Sequence, residues 1–397
     1  MATVISGRVL GKVSYGELGI ILSTVGLMST FAALGLGLTG TKYVAEYWRK
    51  DSERTGRIIG LSIWISILSG GLISTVLFLI SPWLAERMLN APHLGRQIQI
   101  SSGFLFFETL NGVLIGIMAG FEAFKTIAQV RLWRGIINLP IVAVCVWLFG
   151  LTGAVSAMVA VAALAWVINW QALMSLTRDI GIPVSYRGST EEKQILWRFS
   201  IPALLAGIMV GPISWRTNTF LTNQPGGYAE MGVYTAASQW GMSVLFLPNV
   251  LSQAVMPMLS SFYGDNDKKS TKKLLWISVL ISALTSFPIL LLLILFRKSI
   301  MGLFGTEFVA SANVLIIVSL TVGFLAIETP IGKIIAASGK MWMGVIMNFG
   351  WAVVLFLSGW YLVRQGYGAY GLAIAYLLAY IVHGFWTYAF ALHLLKD

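Results

Sequence analysis

Glu108, Arg131, Arg134, Arg216 and Glu328 are charged residues set in or beside long apolar runs, where charge is costly and tends to mark function. Arg216 stands in Trp215-Arg216-Thr217-Asn218. Its planar guanidinium can hold a diphosphate through two parallel N–H···O bonds, and Asn218 adds a carboxamide as a second candidate contact. Counted from Arg198, Arg216 lies roughly 27 Å along a helix, in the outer part of a membrane, where the competing reading is a side chain snorkelling to the headgroups. Glu108 and Glu328 are the acids embedded among apolar residues, so each must be protonated, paired or wetted, and each is a candidate to carry a coupling proton or cation. For Glu328 the competing reading is a carboxyl capping a helix break at Pro330 and Gly332. Arg131 and Arg134 are three apart and share a helix face, either as a basic vestibule for an anion or as anchors at the membrane surface. Trp240 is a candidate to stack on a sugar face, against the ordinary reading of interfacial tryptophan.

These side chains require apolar helices to position them. Only 11% of the chain is charged and 57% is hydrophobic, with 15 Trp and 21 Phe, and the mean hydropathy is +0.80. Apolar runs of roughly 18–27 residues recur, each long enough to cross a hydrocarbon core about 30 Å thick. Spans are expected near 14–40, 58–80, 98–121, 132–150, 151–176, 199–222, 231–259, 274–296, 308–331, 341–363 and 368–394. The expected fold is therefore an all-α polytopic membrane protein of about eleven transmembrane helices. The longest polar connection, Arg178–Lys193, is under twenty residues, too short for a nucleotide-binding or glycosyltransferase domain. Three histidines and the single Cys145 show no metal-ligand spacing, and no nucleophile with a base appears, so neither a metal nor catalysis is expected. A net charge of +11 raises nucleic acid as a partner, but the position of the bases explains it otherwise. With alternate connections assigned to opposite sides, 19 Lys and Arg fall on one side and 7 on the other, leaving Arg216 within a span. The positive-inside rule makes the richer side cytoplasmic, with the C-terminus inside and the N-terminus outside.

An internal repeat accounts for that odd topology. Tyr15-Gly16-Glu17-Leu18-Gly19 matches Tyr228-Ala229-Glu230-Met231-Gly232, Glu108-Thr109 matches Glu328-Thr329, and Gly150-x-x-Gly153 matches Gly368-x-x-Gly371, in one order at offsets of 213, 220 and 218. Two homologous helical lobes follow, 1–185 and 186–397, in parallel orientation. A full span precedes Tyr228 but none precedes Tyr15, so the expected pattern is twelve helices lacking the first. Glu17 and Glu230 are expected at span ends, as helix N-terminal charges. The small-residue run Ala32–Gly40 is expected to allow close helix contact.

Several segments resemble a known family. Gly7-Arg8-Val9-Leu10-Gly11 followed by Tyr15-Gly16, Lys42-Tyr43-Val44-Ala45-Glu46-Tyr47 before a basic loop, and Gly232-Val233-Tyr234 through Trp240, Pro248 and Pro257 are similar to the O-antigen-type flippases. These form the polysaccharide-export branch of the multidrug/oligosaccharidyl-lipid/polysaccharide (MOP) exporters, with a fold shared with MATE transporters. The resemblance implies translocation of undecaprenyl-diphosphate-linked sugar repeats across the cytoplasmic membrane, by alternating access of two lobes about a central cavity. It implies a polyprenyl-diphosphate-linked glycan and membrane lipids as partners, a polysaccharide polymerase and glycosyltransferases in the same pathway, no nucleic acid, and no cofactor beyond a coupling H+ or Na+. Family members often carry an acid near the place of Arg216–Asn218, and its replacement by arginine here argues against acid-based coupling at that position. The alternatives are a cation-coupled multidrug antiporter of the same superfamily, a lipid II flippase, and a membrane polymerase or ligase. The last would require a long extramembrane loop.

Overall fold

The computed structural model describes residues 1–195, 208–249, 255, 258, 259, 262, 267–338 and 340–396. Among them the regular structure is helical, in the order α1 (Ala2–Ala33), α2 (Leu36–Tyr47), α3 (Ser52–Trp83), α4 (Gly95–Gly120), α5 (Phe124–Ile180), α6 (Val210–Thr222), α7 (Gly227–Val244), α8 (Lys268–Leu295), α9 (Arg297–Gly302), α10 (Thr306–Val309), α11 (Val314–Ala337), α12 (Met341–Arg364) and α13 (Gly368–Lys396). Eight of the described helices are long and apolar enough to cross a membrane. One of these, α5, contains two expected spans, separated at Gly150, whose φ of 56° and ψ of −134° leave the helical region. Gly153 then lies directly against the Cys145 carbonyl, so the arms 124–149 and 151–180 fold back on each other. The expected spans 199–222 and 231–259, with Arg198 and Pro257, lie partly outside the described residues.

Two boundaries differ from the sequence reading. The expected span 14–40 is two helices, because Leu34 and Gly35 adopt positive φ, 45° and 67°, and break the chain between α1 and α2. The expected span 308–331 begins later, at Val314, since residues 306–309 form the separate short helix α10. Helix starts follow ordinary capping chemistry. The Asp51 side chain accepts from the Arg54 amide at 2.9 Å to open α3, and Asp267 accepts from Ser270 at 2.9 Å to open α8. Hydrogen bonds from Ser270 hold the Asp267 carboxyl below its ordinary pKa.

The chain divides into two compact units, one of residues 1–2 and 21–211 and one of residues 3–20 and 212–397. In the first, α2 lies on α4 through glycines: a Cβ at Gly116 would overlap the Gly37 carbonyl, and Thr41 Oγ1 donates to the Gly116 carbonyl at 2.9 Å. Buried amides bind α4 to the second arm of α5, with Asn111 Nδ2 donating to the Ala162 carbonyl at 3.0 Å and Asn169 Nδ2 donating to Asn111 Oδ1 at 2.8 Å. The polar connection after α5 closes onto α3. Ser185 N donates to the Gly56 carbonyl at 3.1 Å, and Arg54 and Arg57 pair with Glu191 and Glu192.

In the second unit the segment 3–20 crosses α7 at small residues. Gly16 faces the Tyr228 carbonyl and Gly232 faces the Lys12 carbonyl, each too close for a Cβ. The positive φ of Gly11 kinks α1 and frees the Lys12 amide, which donates to Glu307 at 2.8 Å. Tyr15 packs on Phe304 and Phe308 with centroid distances of 5.6 and 6.3 Å.

Candidate functional site

The first unit holds a basic cavity where α4 meets both arms of α5. Its volume is about 350 Å³ and its lining includes Arg131, Arg134 and Asn138, with Phe104, Met158 and Val161 as apolar wall. Arg131, Arg134 and Asn138 face it together because they recur at helical spacing of three and four. Arg134 makes a two-point ion pair with Glu108: one guanidinium nitrogen contacts Oε1 and the other reaches Oε2 at 3.4 Å. Their side chains are 33% and 27% exposed, so the pair borders the cavity and is not sealed behind it. Arg134 is thereby paired with Glu108 between α5 and α4. Arg131 is exposed and has no carboxylate partner among the described residues. Two guanidiniums against one carboxylate give the cavity one positive charge in excess, with Asn138 as a neutral polar group and the rest of the named lining apolar.

The second unit holds the matching acid in another setting. Glu328, 8% exposed, contacts His383 Nδ1 through Oε1 and receives Thr387 Oγ1 at 3.5 Å. Helix α11 runs through Pro330 without interruption, so Glu328 caps no helix break and its carboxyl is turned to α13. One turn before Glu328 and His383, Leu325 and Tyr380 line a second cavity of about 180 Å³ with Tyr376, Tyr234, Ser238 and Thr321. Tyr234 and Tyr376 stack at 5.7 Å and 19°, and Trp351 packs on both Tyr376 and Tyr380. Sequence reasoning missed this aromatic wall and His383. The available signal was the spacing of Tyr376, Tyr380, His383 and Thr387, which places them on one helical face.

Arg216 and Trp240 lie outside both cavity linings. Arg216 is exposed, its guanidinium 4.9 Å from the Phe220 ring centre and donating to Thr219 Oγ1 at 3.2 Å. Asn218 is buried and touches the aromatic wall, accepting from the Tyr376 hydroxyl at 3.5 Å. Trp240 is half-buried and is not part of the tyrosine cavity lining, which α7 reaches through Tyr234, Ser238 and Met242. Glu230 lies in the first turn of α7 as a helix N-terminal charge, and its carboxylate also accepts from the Ala369 amide at the start of α13 at 2.8 Å, beside the positive-φ Gly368. Glu17 is buried.

Long apolar helices in this order describe a polytopic all-α membrane protein, and its fold is the MATE fold. The fold matches an inward-facing multidrug resistance MATE family transporter of the MOP superfamily, with a TM-score of 0.83 at 17% identity, covering 100% of this chain and 94% of that one. It also matches a MOP superfamily transporter from Pyrococcus furiosus, with a TM-score of 0.71 at 16% identity, covering 100% and 92%. In sequence the chain is 22% identical over 369 residues to the EPS I polysaccharide export inner membrane protein EpsE of Ralstonia nicotianae, covering 88% of this chain and 81% of that protein. The polysaccharide biosynthesis protein family matches residues 2–263, and the MatE family matches residues 202–361. The chain belongs to the polysaccharide biosynthesis protein family.

Proposed function

We propose that the protein is a flippase that moves a lipid-linked oligosaccharide, gripped by its polyprenyl diphosphate, to the outer leaflet of the inner membrane. The cargo is the repeat unit of a cell-surface polysaccharide, of O-antigen or exopolysaccharide type. The observation that carries this reading is the cavity in which exposed Arg131 stands beside Arg134, itself held in place by Glu108. A guanidinium with free donors and a neighbour fixed in orientation suits a doubly bridging anion such as a diphosphate. The apolar wall of Phe104, Met158 and Val161 suits the first isoprene units. The Ralstonia relative, named for polysaccharide export at the inner membrane, supports the same class of cargo and the same location. In this reading Arg216 is a further candidate for diphosphate contact, within the second unit. The two halves act as the lobes of alternating access, with the C-terminus cytoplasmic.

The MatE match keeps cation-coupled antiport as the second reading, and charge separates the two. An antiporter of cationic drugs needs a site dominated by acids, whereas the cavity here is basic. The test is thermal stabilisation of the purified chain. A short-chain polyprenyl diphosphate is expected to raise the Tm in a concentration-dependent way, as any ligand of the folded state does, and the free polyprenol is not. Arg131→Ala is expected to remove the effect. Stabilisation by an organic cation but not by the diphosphate would overturn the flippase reading in favour of antiport.

A further inference from the structure

Glu108 and Glu328 occupy matching places in the repeat but differ in the group that holds them. Glu108 is held by a guanidinium, that of Arg134, in a two-point contact. Glu328 is held by His383, whose side-chain type changes charge closest to neutrality. Oε1 of Glu328 is shared between His383 and Thr387, while Oε2 is buried and has no partner among the described residues. A Cβ at Gly384 would lie 3.7 Å from that oxygen, so the helix opposite offers it only a bare glycine. A buried carboxylate with one oxygen unsatisfied is costly as an anion, and a proton relieves that cost.

The surroundings add few competing charges. Helix α8 carries no ionisable side chain between Lys273 and Arg297, and α12 none between Lys340 and Tyr361. Helix α7 brings Tyr234 to the adjoining cavity, α13 brings Tyr376 and Tyr380, with Tyr380 in electrostatic reach of Glu328, and α11 brings Lys333 five residues on. On α9, Arg297 is occupied by Asn313 at 2.8 Å. Leu325 and Tyr380, each one turn before Glu328 and His383, line the tyrosine cavity. The pair therefore lies one helical turn beyond a space large enough for water.

We propose that Glu328 and His383 together form the proton-binding site that energises transport, a role resting on the transport reading above. With a neutral imidazole and a carboxylate the site carries one negative charge. Taking up one proton from the cavity neutralises it, either as imidazolium with carboxylate or as imidazole with carboxylic acid, and releasing that proton restores the charge. A carboxylate, an imidazole and one hydroxyl make a poor set for a hard cation, which favours several oxygens.

The test uses the full chain in proteoliposomes containing a fluorescent polyprenyl-diphosphate disaccharide, with a pH gradient, a sodium gradient or none. The pH gradient is expected to accelerate translocation, and in Glu328→Gln and His383→Gln the ratio of rates with and without it falls to one. Glu108→Gln is expected to slow translocation yet keep that ratio, which a merely structural role for the Glu328 pair would not produce. If Glu328→Gln fails to reconstitute, His383→Gln carries the comparison. A wild-type ratio of one, acceleration by sodium instead, or retention of the ratio in both variants would overturn the proposal. If wild type moves no probe under any condition, the transport reading falls, and pH-difference infrared spectra of the purified chain test the site alone. A carboxyl band that changes with pH and vanishes in Glu328→Gln is expected, and its absence from wild type would overturn the site.

Discussion

Arg134 is tied to Glu108 by two contacts, and the neighbouring Arg131 is left with donors to spare, so the two arginines have separable roles. Arg134→Ala strands Glu108 at the cavity edge. With both side chains about a third exposed, the expected loss lies between those of surface and buried pairs, about 1–3 kcal/mol. The double variant Glu108→Gln with Arg134→Gln is expected to regain much of this in a denaturation cycle, because neither charge is then left alone. Additive losses would mean the two side chains do not interact. Arg131→Ala is expected to leave stability nearly unchanged. The sequence identified Glu108, Arg131, Arg134 and Glu328 individually, because a charge in an apolar run is visible without a structure. It did not reveal who pairs with whom: Arg134 is 26 residues from Glu108 and His383 is 55 from Glu328, and such pairings depend on which helices are neighbours. His383 lay among apolar and aromatic residues, marked only by the helical spacing it shares with Tyr376, Tyr380 and Thr387.

At the level of elements, the crossing of segment 3–20 with α7 depends on the absence of side chains at Gly16 and Gly232. Gly16→Val places methyl groups where the Tyr228 carbonyl stands and is expected to destabilise the fold by about 1–3 kcal/mol or more, read as a lowered Tm. Gly26→Ala, on the same helix with nothing within 4 Å, is the control. It is expected to be neutral or to stabilise by up to about 1 kcal/mol, since alanine is the better helix former. Equal effects of the two would mean that the crossing is not close. Helix lengths were legible for α3, α4, α8, α12 and α13, where one apolar run is bounded by polar residues. The break at Leu34 was not, because leucine is seldom chosen for positive φ and nothing in Ala32–Gly40 marks that position above its glycines. Nor was the early start of α1, since Arg8 and Lys12 make its first turns look polar, whereas its tertiary partners Phe304, Phe308 and Glu307 lie about 300 residues away.

For the whole molecule, the sequence offers a repeat as its organising feature. Gly150 and Gly368, matched through Gly-x-x-Gly, both take positive φ, 56° and 53°, at turns between consecutive helical segments. The excess of Lys and Arg on one side predicts orientation: in a chain with Cys145 replaced, a cysteine at Lys272 is expected to label only from the cytoplasmic face, and labelling from outside would mean that the spans are miscounted. The central claim is that a basic cavity in the first unit accepts an anionic lipid-linked sugar. Translocation of a fluorescent polyprenyl-diphosphate disaccharide in proteoliposomes at equal protein density tests it most directly, with position 131 varied. Wild type is expected to be fastest. Arg131→Lys should retain part of the rate because it keeps the charge but loses the two-point contact, while Arg131→Ala should lose most of it. Arg131→Glu should be at least as damaging as Ala, because it sets a negative charge against the diphosphate. Wild-type rates in all three variants would contradict the account.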